Sequence, residues 1–225
     1  MKFTYYGQSC FGVNCNGKNL LFDPFITPNP KASHININQI DADYILVSHG
    51  HGDHIADVEA LAKATGATLI SNFEVGEWFR KKGINKIEAM NLGGKKKFDF
   101  GTLKCVNAIH SSVMPDGSNG GNPMGFVIQG ENNFYYSGDT ALTLDMQLIP
   151  SWAKIDFAVM PIGDYFTMDA ADAARAATFV NTQRVVGVHY NTFPPITLNT
   201  DAAKKIFEEN GIELLLPAIG ESINI

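Results

Sequence analysis

Short apolar runs punctuate this chain, and most of them break on a polar residue. Tyr44-Ile45-Leu46-Val47, Lys104 to Ile109, Asn133-Phe134-Tyr135-Tyr136, Phe157-Ala158-Val159-Met160 and Arg184-Val185-Val186-Gly187-Val188 are rich in β-branched and aromatic side chains. Runs of this length and composition predict buried strands. The segment Met1-Lys2-Phe3-Thr4-Tyr5-Tyr6-Gly7 alternates and then turns, which predicts an edge strand. Lys95-Lys96-Lys97 lies between Gly93-Gly94 and Phe98-Asp99-Phe100-Gly101 and predicts the solvated start of a hairpin. Between the strands, apolar stripes at helical spacing predict helices over 55–65 (Ile55, Val58, Leu61, Ala62), 74–82 (Val75, Trp78, Phe79), 169–180 (Ala173, Ala177, Val180) and 200–210 (Ala203, Ile206, Phe207). Gly66, Gly83 and Gly211 stand where the first, second and fourth of these should stop. The stripes are expected to pack against sheets, Trp78 included. A length of 225 residues with 45% hydrophobic content predicts one domain over 1–225, strand-rich on both sides of residue 100.

The ends of the strands carry the chemistry. The run 44–47 leads into His49-Gly50-His51-Gly52-Asp53-His54, which holds three of the chain's six histidines. Lys104 to Ile109 leads into His110, Asn133 to Tyr136 leads through Ser137-Gly138 into Asp139, and Arg184 to Val188 leads into His189. One histidine after a strand usually makes a loop hydrogen bond, and an aspartate after Ser-Gly usually shapes a turn. Four strands ending this way are a different matter, because sites in α/β folds collect at the carboxyl ends of strands. Imidazole and carboxylate ligands suit Zn²⁺, Fe²⁺, Mn²⁺ or Ni²⁺ better than Ca²⁺. His34, in Lys31-Ala32-Ser33-His34, falls outside this pattern and is expected at the solvated surface, and Asp23 is expected to anchor a turn.

The H-x-H-x-D-H motif, followed at increasing distance by a His, an Asp and a His, resembles the metallo-β-lactamase superfamily. A closer resemblance is to its metal-dependent hydrolase branch related to ascorbate-6-phosphate lactonase. It is carried by Phe22-Asp23-Pro24-Phe25, Ser48 through Asp57, His110-Ser111-Ser112, Tyr136-Ser137-Gly138-Asp139-Thr140, Met160-Pro161-Ile162-Gly163, Phe166-Thr167-Met168 and His189-Tyr190-Asn191-Thr192-Phe193-Pro194. These motifs span nearly the whole chain. The resemblance implies an α/β fold, an αββα sandwich of two β-sheets packed face to face with helices outside and metals at one edge. It implies one metal held by His49, His51 and His110, a second held by Asp53, His54 and His189, and Asp139 bridging both, with Asp53 and Asp139 as the catalytic carboxylates. Two divalent ions are expected, Zn foremost, with Mn, Fe or Ni as alternatives. A metal-bridged hydroxide would then attack a small ester, lactone or phosphodiester. The alternatives are a mononuclear-iron sulfur dioxygenase of the same fold, a nucleic-acid processing phosphodiesterase and a non-enzymatic metal-binding regulator. The absence of cysteine from every motif position speaks against β-lactamases that carry one, and His51 stands where diiron oxygen reductases of this fold carry Glu.

Charge and the remaining segments narrow the partners. A net charge of −6 argues against a broad nucleic-acid surface, so a small-molecule substrate is expected and nucleic acid is not. No apolar run approaches membrane-spanning length, and no signal peptide follows the N-terminus, which predicts a cytoplasmic protein without membrane contact. Cys10, Cys15 and Cys105 fit small reduced core residues, with a Cys10–Cys15 disulfide as the disfavoured alternative. A homo-oligomer is compatible with all of this. The Gly-, Ser-, Asn- and Pro-rich stretch 111–125 fits either a mobile lid or an ordinary exposed loop. Tyr190 to Pro195 fits a fixed wall at the mouth of the site, and Asp164, Tyr165, Phe166 and Met168 fit either the same mouth or a structural role.

Overall fold

The computed structural model describes residues 1–225. The chain first builds β1 (Lys2–Gly7), β2 (Cys10–Cys15), β3 (Lys18–Phe22), β4 (Tyr44–Leu46), β5 (Thr68–Asn72) and β6 (Ile87–Met90). It then builds β7 (Lys95–Phe98), β8 (Gly101–Asn107), β9 (Met124–Gln129), β10 (Phe134–Tyr136), β11 (Phe157–Pro161), β12 (Arg184–Val188) and β13 (Glu213–Leu215), and returns to the first sheet as β14 (Ser222–Asn224). The sheets run β14-β1-β2-β3-β4-β5-β6 and β13-β12-β11-β10-β9-β8-β7. Each pairs antiparallel at one end (β14 to β3; β7 to β10) and parallel at the other (β3 to β6; β10 to β13). Parallel strands need crossovers, and helices supply most of them.

The two sheets face each other across an aromatic core. Phe11 stacks on Phe22 with ring centroids 4.4 Å apart, Phe134 on Phe157 at 5.1 Å, and Tyr136 meets Phe22 edge-on at 5.6 Å. Truncating such a ring to alanine costs about 3–5 kcal/mol. Helices α2 (Val58–Thr65) and α3 (Phe73–Arg80) bury Val58, Leu61, Val75 and Phe79 against the outer face of the first sheet. Helices α4 (Ala170–Phe179) and α5 (Thr200–Glu209) bury their alanine stripe and Phe207 against the second. This is the expected αββα sandwich.

Three expectations change. β1 is not an edge: it pairs with β2 on one side and β14 on the other, since the C-terminal segment folds back beside it. The helix expected over 55–65 is broken at Asp57 into a single turn, α1 (Gly52–Ile55), and α2. The Asp57 carboxylate is drawn away to accept the backbone N–H groups of Ile26 (2.6 Å) and Thr27 (2.9 Å), and its own N–H donates to Pro24. Trp78 sits at the rim of the outer core rather than inside it, donating Nε1–H to Asp116 at 2.7 Å with Lys82 over its ring. The three cysteines are buried and unpaired, as expected of reduced core residues.

Candidate metal centre

The four ligand-ending strands finish at one edge of the sandwich. Val47 continues β4 by donating to Ile70, and the chain then turns through His49 and Gly50 into α1, whose N-cap is His51. Gly50 leaves room for the neighbouring segment at this turn. A Cβ would lie 2.4 Å from Met114 Sδ, because the 111–125 segment packs onto this turn. Past β10, Gly138 takes φ 62°, where a Cβ would meet the Met124 carbonyl at 2.8 Å, and this sharp turn delivers Asp139. Past β12, His189 itself adopts φ 57° and donates its N–H to the Gln8 carbonyl at 2.8 Å. A left-handed histidine is uncommon, and strained residues of this kind cluster at functional sites.

All seven predicted side chains meet. His49 Nε2 lies 2.9 Å from His51 Nδ1, and the His110 ring sits 5.1 Å from each of theirs. Next to this trio, Asp139 Oδ2 lies 3.1 Å from His54 Nε2, 3.1 Å from His189 Nε2 and 3.8 Å from His110 Nε2. Asp53 Oδ2 lies 3.6 Å from His54 Nε2 and 3.7 Å from His189 Nε2. Within His49-His51-His110 and within Asp53-His54-His189, one donor atom per residue lies within 4.8 Å of the others. Buried His54 Nε2 has no hydrogen-bond partner, and an orphaned buried nitrogen aimed at a carboxylate fits a site built for a cation. His34 is exposed and stands apart, its Nε2 3.2 Å from the Ile219 carbonyl.

Charge divides the site in two. Burial, together with the neighbouring His54, holds His49 well below the ordinary histidine range. Burial likewise lowers His51 and His110. His54 goes the other way: burial opposes its charge, but Asp139, Asp53 and Asp23 outweigh burial and push it up. His189 is pushed up to about 9, burial again being outweighed by Asp139 and Asp53. Burial disfavours charge on Asp139 and Asp53 as well, yet the facing His54 and His189 hold both below the usual carboxylate range.

A ring of supporting contacts was not predicted. Asp23 is completely buried at φ 41° and does more than anchor a turn. It accepts from Ser48 N (2.7 Å), Ser48 Oγ (2.5 Å), Tyr136 Oη (2.6 Å) and His54 Nδ1 (2.8 Å). Ser48 Oγ is also 2.9 Å from His49 Nδ1. Asp23, His49 and His54 also fall within 4.8 Å of one another, but the Asp23 oxygens are engaged by these donors, so the residue orients rings. Gln8 donates from Nε2 to Asp53 Oδ2 at 2.9 Å, and Ser111 Oγ lies 3.3 Å from His51 Nε2. The only sequence hint to Asp23 was its place in Phe-Asp-Pro-Phe; Gln8 left none.

The centre opens into a cleft of about 520 Å³, lined by His51, Asp53, His110, Ser111, Asp139, Phe166, His189, Phe193 and Pro195. Phe193 and Pro195 form the expected wall. Tyr190 does not: it stacks on Tyr5 at 6.5 Å and lines a separate groove. Met168 is core, whereas Phe166 faces the cleft. The 111–125 segment is tethered as a rim. Asn72 Nδ2 donates to the Gly120 and Asn122 carbonyls, Gly50 N donates to Ser112 Oγ, and Met114 is buried.

Two seven-stranded sheets between helices, with a His/Asp cluster at one edge, define the metallo-β-lactamase class of hydrolase folds. The Beta-lactamase superfamily domain profile matches residues 18–190. A UPF0173 metal-dependent hydrolase of Flavobacterium johnsoniae is 51% identical over 226 residues, covering 100% of both chains. Another from Methylacidiphilum infernorum is 46% identical over 224 residues, covering 99% of both. The structure of Igni18, a metallo hydrolase from the archaeon Ignicoccus hospitalis, superposes with a TM-score of 0.89 at 32% identity over 99% of this chain and 97% of that one. The chain belongs to the UPF0173 metal-dependent hydrolase family within the β-lactamase superfamily.

Proposed function

We propose that the protein is a dinuclear hydrolase of a small ester, lactone or phosphodiester. One ion would be held by His49, His51 and His110, the other by Asp53, His54 and His189, with Asp139 shared. The observation that carries this reading is Asp139 Oδ2, which sits within 4 Å of nitrogens from both trios. A carboxylate in that place offsets the repulsion between two cations. Nitrogen and oxygen donors without a thiolate fit Zn²⁺ first, then Mn²⁺, Fe²⁺ or Ni²⁺.

When bound, such ions supply Lewis acidity and lower the pKa of water to about 7. The chain's own residues orient and shield. Asp23 and Ser48 hold the His54 and His49 rings from behind. Gln8 fixes Asp53 through Oδ2. Phe166, Phe193 and Pro195 limit water on the open side. No helix is long and apolar enough to cross a membrane. We place the protein in the cytoplasm on its three reduced, buried cysteines. The partner is a small molecule, in keeping with the net charge of −6.

The test is elemental analysis after saturation with Zn²⁺ and removal of excess, followed by a panel of lactones, esters and phosphodiesters. Two ions per chain are expected, with hydrolysis lost on chelation and restored by Zn²⁺. Saturation at one ion contradicts the dinuclear reading.

A further inference from the structure

The cleft is polar at its floor and apolar at its walls. Phe166, Phe193 and Pro195 line it, and no lysine or arginine does. Recognition of a remote phosphate or carboxylate calls for such a cation, with Arg the usual choice. The net charge of −6 adds no attraction for an anion.

The backbone that carries each aromatic side chain is held by local hydrogen bonds. Phe166 follows two consecutive left-handed residues, Asp164 (φ 63°) and Tyr165 (φ 61°), a conformation that L side chains disfavour. The turn is locked by hydrogen bonds from Phe166 N to Asp164 O and from Tyr165 N to Asp164 Oδ1, each 2.6 Å. It leaves the Phe166 ring 50% exposed, braced edge-on by Tyr165 at 4.7 Å. A strained turn that presents a phenyl ring to water gains nothing for the core. Phe193 leans on Phe25 at 6.2 Å. Its loop is pinned through Asn191 (φ 59°), whose N–H donates to the Ile196 carbonyl and whose Oδ1 accepts from Leu198 N. A backbone already ordered at both positions lowers the ordering cost of binding.

We infer that the cleft selects substrates whose scissile ester or lactone carries an uncharged aliphatic or aromatic group, with Phe166 and Phe193 as the specificity-determining residues. The nature of the scissile bond rests on the hydrolase reading above; recognition of the apolar group rests on the walls alone. Each methylene shielded against these side chains adds up to about fourfold in affinity, and about half of that when one side stays wet.

Slowly hydrolysed γ-lactams, isosteres of γ-lactones, provide the test. Unsubstituted, 5-hexyl and 5-(5-carboxypentyl) lactams are titrated calorimetrically into Zn²⁺-loaded protein, and the matching lactones are assayed for turnover. The hexyl compound is expected to bind at least about tenfold tighter than the unsubstituted one, and the carboxylated chain to lose that gain. Phe166→Ala should remove most of the gain and Phe166→Leu should keep most of it. Thermal melts verify that both variants fold, a safe expectation for a half-exposed ring. Equal or undetectable binding of the first two lactams, or preference for the carboxylated chain, overturns the inference. Tighter hexyl-lactam binding with no lactone turnover would uphold recognition of the apolar group while removing the lactone as the scissile bond. Lactone turnover indifferent to the chain would do the reverse.

Discussion

Asp23→Ala is the substitution whose consequences the structure defines most fully, although Asp23 faces neither the cleft nor solvent. The native carboxylate accepts four hydrogen bonds, from Ser48 N, Ser48 Oγ, Tyr136 Oη and His54 Nδ1, at 2.5–2.8 Å. The Ser48 hydroxyl can rotate toward His49 once released, since Nδ1 is already 2.9 Å away. The other three donors are fixed by the backbone or by buried rings and would be left unpaired. An unsatisfied buried donor costs about 1–3 kcal/mol, and partial relaxation brings the loss to about 3–6 kcal/mol. At about 2–4 °C per kcal/mol for a chain of this size, the melting temperature of the metal-free protein should fall by on the order of 10 °C. Metal binding should weaken separately, because the His54 ring loses the contact that aims Nε2 at Asp139; loss of such a support typically costs about 10–100-fold in affinity. Calorimetric melts of chelator-treated protein measure the first effect, and competition with a chromophoric chelator the second. Asp23→Asn, which keeps the shape and one acceptor oxygen, should fall between parent and alanine. An alanine variant that melts within 2 °C of the parent, or binds metal as tightly, would refute the reasoning.

The other predictions concern the centre directly. Asp139→Ala should lower occupancy at both trios and abolish hydrolysis, whereas His189→Ala should weaken mainly the Asp53-His54 side and leave one ion bound; metals per chain and far-UV CD distinguish them, and two tightly held ions in Asp139→Ala would remove the shared role. His34→Ala should leave metal content and turnover at parental values, because His34 bonds only the Ile219 carbonyl. In the metal-free protein, His54 and His189 carry protons at pH 7, so an ion entering their trio displaces about two protons, while His49, His51 and His110 release essentially none. Titration in buffers of differing ionisation enthalpy should therefore show affinity on the His54 side rising from pH 7 to about 9. The linked sign for the empty fold is opposite: raised His189 stabilises it fully below about 6.5, that contribution is lost as pH rises through about 9, and raised His54 acts in the same direction. Chelated protein that melts at the same temperature across pH 7 to 9 would contradict this.

The parts of the site that could be read in sequence are those governed by local chemistry. A buried strand ending in His or Asp announces itself within a few residues, and on that basis β4, β8, β10 and β12 emerge where expected and the His and Asp side chains that follow them meet. The supports of those ligands obey no local rule. Gln8 meets Asp53 from 45 positions away, and Ser9 approaches Asp139 across 130. In sequence both are ordinary members of a turn after an alternating strand. What gives them their role is register: the β1–β2 pairing slips between Tyr5 and Gly7, Gln8 takes φ 52°, and its carbonyl is turned to receive both Tyr5 Oη and His189 N. The wrongly assigned edge strand has the same origin. Alternation in Met1 to Gly7 records that one face is buried, but whether a further strand lies alongside depends on Ser222–Asn224, more than 200 residues on. The split helix at Asp57 follows too, since its stripe continues unbroken while the carboxylate is claimed by Ile26 and Thr27 from another part of the fold. In this protein the candidate ligands are set by strand ends and their supports by pairing register. A change in the β1–β2 turn can therefore disturb the centre without touching any residue that sequence pattern marks as part of it.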